Sequence, residues 1–155
     1  MGRRKKIIDR GRKPDFKYNS LLISRFISYL MRNGKKTVAA KIINESLDII
    51  KEKTKKDPVE VFDGVVNKVA PILEVKSKRI GGATYQVPME VRGDRRIQLA
   101  FRWIINAAKE RKGKPMAKKL AEEILDITNG TGAALKRRDD VQKMAEANRA
   151  FAHFA

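Results

Sequence analysis

Apolar residues recur at Leu22, Ile23, Phe26, Ile27 and Leu30, a spacing that lays a single stripe along one side of a helix. Asn19 or Ser20 is placed to cap its start, and Gly34 fits just beyond its end. Ile42, Ile43, Leu47 and Ile50 repeat the pattern in a second helix over about 37–53. A third begins at Asp57-Pro58-Val59-Glu60, where Asp57 suits the cap, Pro58 the first helical position and Glu60 the capping-box partner. Phe62, Val65, Val66 and Val69 form its buried side, and Pro71 stops it.

The period then changes. Leu73, Val75 and Ser77 alternate with Glu74, Lys76 and Lys78, and Tyr85 and Val87 alternate with Thr84 and Gln86 on the far side of Gly81-Gly82. Two such runs around a Gly-Gly pair predict a β-hairpin at about 72–88, its turn needing positive φ and its second strand ending at Pro88. An isolated pair of strands is marginal alone, so the hairpin is expected to lean on something. A fourth helix runs from about Arg92 or Asp94 to Lys109, with Ile97, Ala100, Phe101, Ile104 and Ala108 inward. A fifth begins at Pro115, buries Met116, Leu120, Ile124 and Leu125, and ends near Asn129-Gly130. A sixth covers roughly 132–148, with Leu135, Val141, Met144 and alanines as its only apolar surface.

The expected fold is therefore mainly α: a six-helix bundle with one protruding two-stranded hairpin between the third and fourth helices. Residues 1–17 form a flexible basic arm, 18–150 one helical domain and 151–155 a short tail. The arm carries Arg3, Arg4, Lys5, Lys6, Arg10, Arg12, Lys13 and Lys17 against Asp9 and Asp15, with little apolar surface, so it is expected to order only on a partner.

Charge sharpens this picture. Lys and Arg number 36 against 18 Asp and Glu, a net charge of +18, which repels itself unless a polyanion neutralises it. There is no cysteine, which removes disulfides, thiolate metal sites and cysteine nucleophiles. No apolar run approaches the roughly 18 residues of a membrane span, and the first residues lack the apolar stretch of a signal peptide, so a cytoplasmic protein is expected. Gly34-Lys35-Lys36-Thr37 resembles the end of a phosphate-binding loop, but Tyr29 stands where that loop needs its first glycine. His153 is the sole histidine, and no histidine pair or acidic cluster is available to hold a metal. Asp139 and Asp140 are helix neighbours that point about 100° apart and are flanked by cations, which fits ordinary salt bridging. No catalytic residues, metal, cofactor or small-molecule substrate are expected.

The cations gather where the chain leaves the core: in the arm, at Arg32, Lys35 and Lys36, on the hairpin at Lys76, Lys78 and Arg79, and at Arg92, Arg95 and Arg96. Arg95, Arg102 and Lys109, seven residues apart, line one side of the fourth helix. Convergent cations of one sign fit phosphate recognition, with Arg supplying bidentate contacts and Lys point charges. At the hairpin tip Gly81 and Gly82 permit close approach, and Tyr85 either stacks on a base or packs on the body.

Several stretches also carry a resemblance. Lys78-Arg79-Ile80-Gly81-Gly82-Ala83-Thr84-Tyr85-Gln86-Val87-Pro88-Met89-Glu90-Val91 closely resembles a signature of the bacterial ribosomal protein seven family of the small subunit. Leu30-Met31-Arg32-Asn33-Gly34-Lys35-Lys36, Leu99-Ala100-Phe101-Arg102-Trp103 and 144–154 are similar to that family too, in family order along essentially the whole chain. The resemblance implies binding to the 3′ major domain of small-subunit ribosomal RNA, where the family organises assembly of the subunit head. It implies exit-site tRNA, mRNA and neighbouring small-subunit proteins as further partners, and a ribosome in a bacterium or a plastid. Carried onto this chain, RNA contacts would fall on Arg3–Lys6, Lys35, Lys36, Lys76–Arg79, the start of the fourth helix, and Lys112 and Lys114. Positions facing tRNA or mRNA would be Gly81, Gly82, Thr84, Tyr85, Arg138, Lys143 and Asn148. Gly93-Asp94 replaces the family's more usual opening of the fourth helix, which weakens the cationic contact expected there. The competing reading is a DNA-binding architectural protein, although such proteins place wedge residues at a ribbon tip and Gly81-Gly82 offers none.

Overall fold

A computed structural model describes residues 13–154. In chain order these form α1 (Leu21–Leu30), α2 (Lys36–Thr54), α3 (Pro58–Val69), β1 (Leu73–Ile80), β2 (Ala83–Glu90), α4 (Gly93–Glu110), α5 (Met116–Asn129), α6 (Ala133–Ala147) and a C-terminal 3-10 helix (Arg149–Phe154). The architecture is mainly helical, with one antiparallel hairpin between α3 and α4.

Local signals explain most boundaries. Ser20, not Asn19, caps α1, its side chain accepting from the Ile23 N–H, while Asn19 takes a positive φ one residue earlier. The Asp57 carboxylate accepts from the Val59 N–H ahead of Pro58. Gly130, at φ +88°, closes α5 by donating to the Asp126 and Ile127 carbonyls. Asp94 sits in the first turn of α4 and pairs with Arg25 at 3.3 Å, tying α1 to α4.

The apolar stripes meet in one core. Phe26, Phe62 and Phe101 come together from α1, α3 and α4, with Tyr29 edge-on to Phe101. Ile43, Leu47 and Ile50 of α2 and Leu120, Ile124 and Ile127 of α5 complete it. α6 joins less deeply: Ala134, Leu135 and Ala145 are buried, whereas Met144, expected on its apolar surface, is half exposed.

The hairpin departs from expectation at one end. Gly81 and Gly82 form the tight turn, both at positive φ, but Pro88 does not end the second strand, which continues to Glu90 with Pro88 opposite Val75. In a two-stranded sheet each strand keeps one open edge, and a proline facing that edge removes no ladder hydrogen bond.

Both chain ends are drawn closer than a free arm and tail would be. The Ser24 hydroxyl donates to the Lys13 carbonyl, and Lys17 reaches Asp48 of α2 at 2.6 Å. Residues 149–154 wind into the 3-10 helix and lie on β2. Residues 1–12 of the arm expected over 1–17 lie outside the described residues.

Candidate nucleic-acid interface

α4 positions the central cations. Its inward side carries Ala100, Phe101, Ile104 and Ala108, so Arg102 and Lys109, at other angles on the helix, stay exposed. A groove of about 340 Å³ between α1 and α4 is lined by Ser28, Tyr29, Arg102, Ile105, Asn106 and Lys109. A second groove, of about 320 Å³, lies between the α1–α2 turn and the start of α5, and its lining includes Arg32, Lys35 and again Lys109. Because Lys109 belongs to both, Arg102, Lys109, Arg32 and Lys35 form one continuous cationic strip. Among the described residues no carboxylate pairs with any of these four. Lys36, the first residue of α2, is exposed beside Lys35. Uncompensated cations on a rigid surface are the arrangement that phosphate recognition requires.

The hairpin cations have a different character. Glu74 of β1 takes Lys76 at 3.2 Å and Arg95 at 3.3 Å, and Arg96 donates to the Pro71 carbonyl at 3.0 Å. Arg95 and Arg96 therefore fasten the hairpin's base to α4, and Arg95, on the same side of the helix as Arg102 and Lys109, differs from them in being ion-paired. Lys78 donates to the Phe154 carbonyl at 2.5 Å. Tyr85 packs against Phe151 and Phe154 of the C-terminal helix, with ring centroids 5.2 and 5.5 Å apart. Arg79, Gly81, Gly82 and Thr84 at the tip are exposed, as is Arg92 at the start of α4.

Of the remaining expected positions, Lys112 is exposed in the α4–α5 loop, whereas Lys114 is held by Glu122 at 2.5 Å. That hydrogen bond keeps the Glu122 carboxyl below the usual carboxylate range. Arg138 is occupied, bonding the adjacent Asp139 and donating to the Lys68 carbonyl. Lys143 is exposed, and the Asn148 amide folds back to the Met144 carbonyl. His153 lies beside Phe154 in the last turn, the two rings tilted by 43°. Arg3, Arg4, Lys5, Lys6, Arg10 and Arg12 lie outside the described residues; Lys13 is exposed at their edge.

Two features escaped the sequence reading. Arg111 pairs with Glu123 and Asp126, and the other oxygen of Glu123, a fully buried residue, accepts from the Ala134 N–H at the start of α6. Burial opposes the Arg111 charge, but the hydrogen bonds to Asp126 and Glu123 outweigh it and hold the guanidinium above its ordinary pKa. The signal was present: Glu123 falls between Leu120 and Ile124 on the inward stripe of α5, where a lone carboxylate needs a partner. The second is a lysine group at the end of α2, where Lys51, Lys55 and Lys56 border an open pocket of about 520 Å³ beside Tyr18. The run Lys51–Lys56 contains four lysines and was legible as a charge cluster.

Among the described residues there is no group of side chains able to hold a metal ion, and no helix is long and apolar enough to cross a membrane. Comparison with known proteins identifies the lineage. Residues 2–149 match the family described as ribosomal protein S7p/S5e. The small ribosomal subunit protein uS7 of Thermotoga petrophila is 54% identical over 152 residues, covering 98% of each chain. The proteins of the same description from Dictyoglomus turgidum and Acaryochloris marina are each 53% identical over 154 residues, covering 99% of both chains. With its hairpin between the third and fourth helices, its exposed strip of unpaired cations and relatives matched from end to end, the chain belongs to the ribosomal S7 family of small-subunit proteins.

Proposed function

We propose that this protein binds the 3′ major domain of small-subunit ribosomal RNA directly, organises assembly of the subunit head, and lies near exit-site tRNA and the mRNA path. The ribosome is that of a bacterial cytoplasm, and neighbouring small-subunit proteins are its other partners. The observation that carries the reading is the strip Arg102–Lys109–Arg32–Lys35, in which α4 and the α1–α2 turn converge on one polyanion-sized surface without carboxylate neutralisation. Lys36, Arg79, Arg92 and Lys112 extend the reach of that surface, and Arg3–Lys6, Arg10, Arg12 and Lys13 add phosphate contacts from the arm. Lys78, Arg95, Arg96 and Lys114 serve chiefly by fixing the hairpin and the α4–α5 loop in place, and they and Lys76, paired with Glu74 of its own strand, meet RNA with whatever donors their internal bonds leave over. Gly81, Gly82 and Thr84 at the hairpin tip face tRNA or mRNA, as do Tyr85, Arg138, Lys143 and Asn148.

The test compares binding of head-domain ribosomal RNA with binding of an equal-length DNA duplex at physiological salt. Preference for the RNA is expected; equal affinity would instead support an architectural DNA-binding protein. If about six phosphates are engaged, affinity falls roughly a thousandfold between 50 and 200 mM salt. A flat salt response would overturn electrostatic docking.

A further inference from the structure

The groove at the α1–α2 turn is built unlike the rest of the basic surface. Its floor is apolar, made by Leu30, Val38, Ala39, Ile42 and Met116, and Val38 is a half-exposed aliphatic side chain on an otherwise charged face. Its rim is Arg32, Lys35 and Lys109, none of them ion-paired among the described residues. Two helices begin at this groove, α2 after Lys35 and α5 after Pro115, and neither has a side chain capping its first N–H groups. Those N–H groups carry partial positive charge and add to the rim's attraction for an anion.

An apolar floor inside a cationic rim suits a ligand with a flat, weakly polar body and a fixed negative charge beside it. The volume, about 320 Å³, lies at the small end of the roughly 300–1,000 Å³ range of small-molecule sites and is too small for a docked helix. We propose that this groove receives one unpaired nucleotide of the bound RNA, its base lying on Val38 and Met116 and its flanking phosphates held by Arg32, Lys35 and Lys109. The proposal rests on the RNA-binding reading above and refines it: the strip supplies sequence-independent phosphate contacts, while the groove adds a demand for an unstacked base. Single-stranded loops and bulges offer such bases and continuous duplex does not. The Arg32 guanidinium gives the groove a planar surface on which the base can also stack. Charge selects this occupant over an apolar protein side chain, which would leave three cations facing it uncompensated.

The experiment uses the full chain and head-domain ribosomal RNA. Val38→Gln changes an exposed position without altering charge, so the fold and the phosphate contacts are retained. Expected is a severalfold loss in affinity, because the amide removes apolar area that the base would cover, with an unchanged dependence on salt. Chemical probing should show one unpaired base shielded by the wild type and reactive with the variant. Photo-methionine at position 116 in assembled small subunits should crosslink to that nucleotide. Affinity and footprint unchanged in Val38→Gln, or a crosslink from position 116 to a protein or to this chain's own residues 1–12, would overturn the proposal while leaving RNA binding intact. Failure of the wild type to bind the RNA at all would instead remove the reading on which it rests, and the groove's role with it. Should Val38→Gln not melt like the wild type, Val38→Thr repeats the measurement with the side-chain shape preserved.

Discussion

In the helical body Phe26, Phe62 and Phe101 meet at centroid distances of 4.9, 5.0 and 6.3 Å and are almost wholly buried, whereas β1 buries no residue and β2 only Val87 and Pro88. The body is held by apolar area withdrawn from water. The hairpin is held by attachments: Arg95 and Arg96 at its base, Lys78 on a carbonyl, and three aromatic rings between β2 and the C-terminal helix. Burial is cooperative, because each core side chain supports many others, while rim contacts fail one at a time. The part proposed to face tRNA and mRNA is thus the part with the least intrinsic stability. The part proposed to grip ribosomal RNA stands on the rigid body.

The largest test of this contrast is Phe101→Ala. Removing a central aromatic leaves a cavity in the body and should lower global stability by about 3–5 kcal/mol in urea denaturation. A loss below about 1 kcal/mol would mean that the aromatic group is not the body's centre.

Next in size is Glu123→Ala. This carboxylate joins α5 to the end of α4 through Arg111 and to the start of α6 through Ala134. Losing one member of a buried pair costs about 3–5 kcal/mol, here reduced to about 2–3 because Arg111 keeps some solvent access and retains Asp126. Since α6 also packs on β1, amide exchange in the hairpin should accelerate along with the global change. An unperturbed hairpin would show that body and hairpin are less coupled than the contacts indicate.

Phe154→Ala separates the two regions most cleanly. It removes one ring beside Tyr85, an aromatic pair worth about 0.5–1.5 kcal/mol. Exchange at 73–90 should quicken severalfold while the global urea midpoint stays nearly fixed. A large global loss would make the C-terminal helix part of the core.

These regions also differed in how far the sequence revealed them. The body was legible because its stripes follow the helical period and its caps are local: Asp57, Ser20 and Gly130 act within a few residues. The hairpin turn was legible in Gly81-Gly82 for the same reason. The site was legible as clusters of charge but not as a strip, because no local spacing tells that Arg32 and Lys35 lie beside Lys109, more than seventy residues later. Nor does charge spacing reveal which cations are already occupied. Arg95 shares its side of α4 with Arg102 and Lys109, yet Glu74, twenty-one residues earlier, holds it. Pro88 misled because the rule that proline ends strands weakens where one edge is open.

The smallest expected effect concerns a third attachment, at the N-terminal edge of the body, where Lys17 meets Asp48 at 2.6 Å and the Tyr18 hydroxyl donates to the same carboxylate. The Lys17 hydrogen bond holds the Asp48 carboxyl below its ordinary pKa, and the bond to Asp48 raises that of Lys17. A depressed carboxylate stabilises the fold fully above its unfolded value, about 3.9, and that stability is lost as pH falls through the lower folded value. For the raised lysine it is present below about 10.4 and lost as pH climbs beyond. Both groups are largely exposed, so the pair contributes only about 0.5 kcal/mol. Asp63 works in the opposite sense, because burial and the nearby Asp57 raise its pKa, so that acid protonates it favourably. Total acid sensitivity therefore mixes the two, and only a difference isolates Asp48. Asp48→Asn should be slightly less stable than the wild type at pH 7, with the gap closing below about pH 4. If the gap does not narrow as pH falls from 7 through the carboxylate range, the attachment at 17–18 is held by packing and not by charge, and it belongs with the body instead of with the hairpin's class of rim contacts.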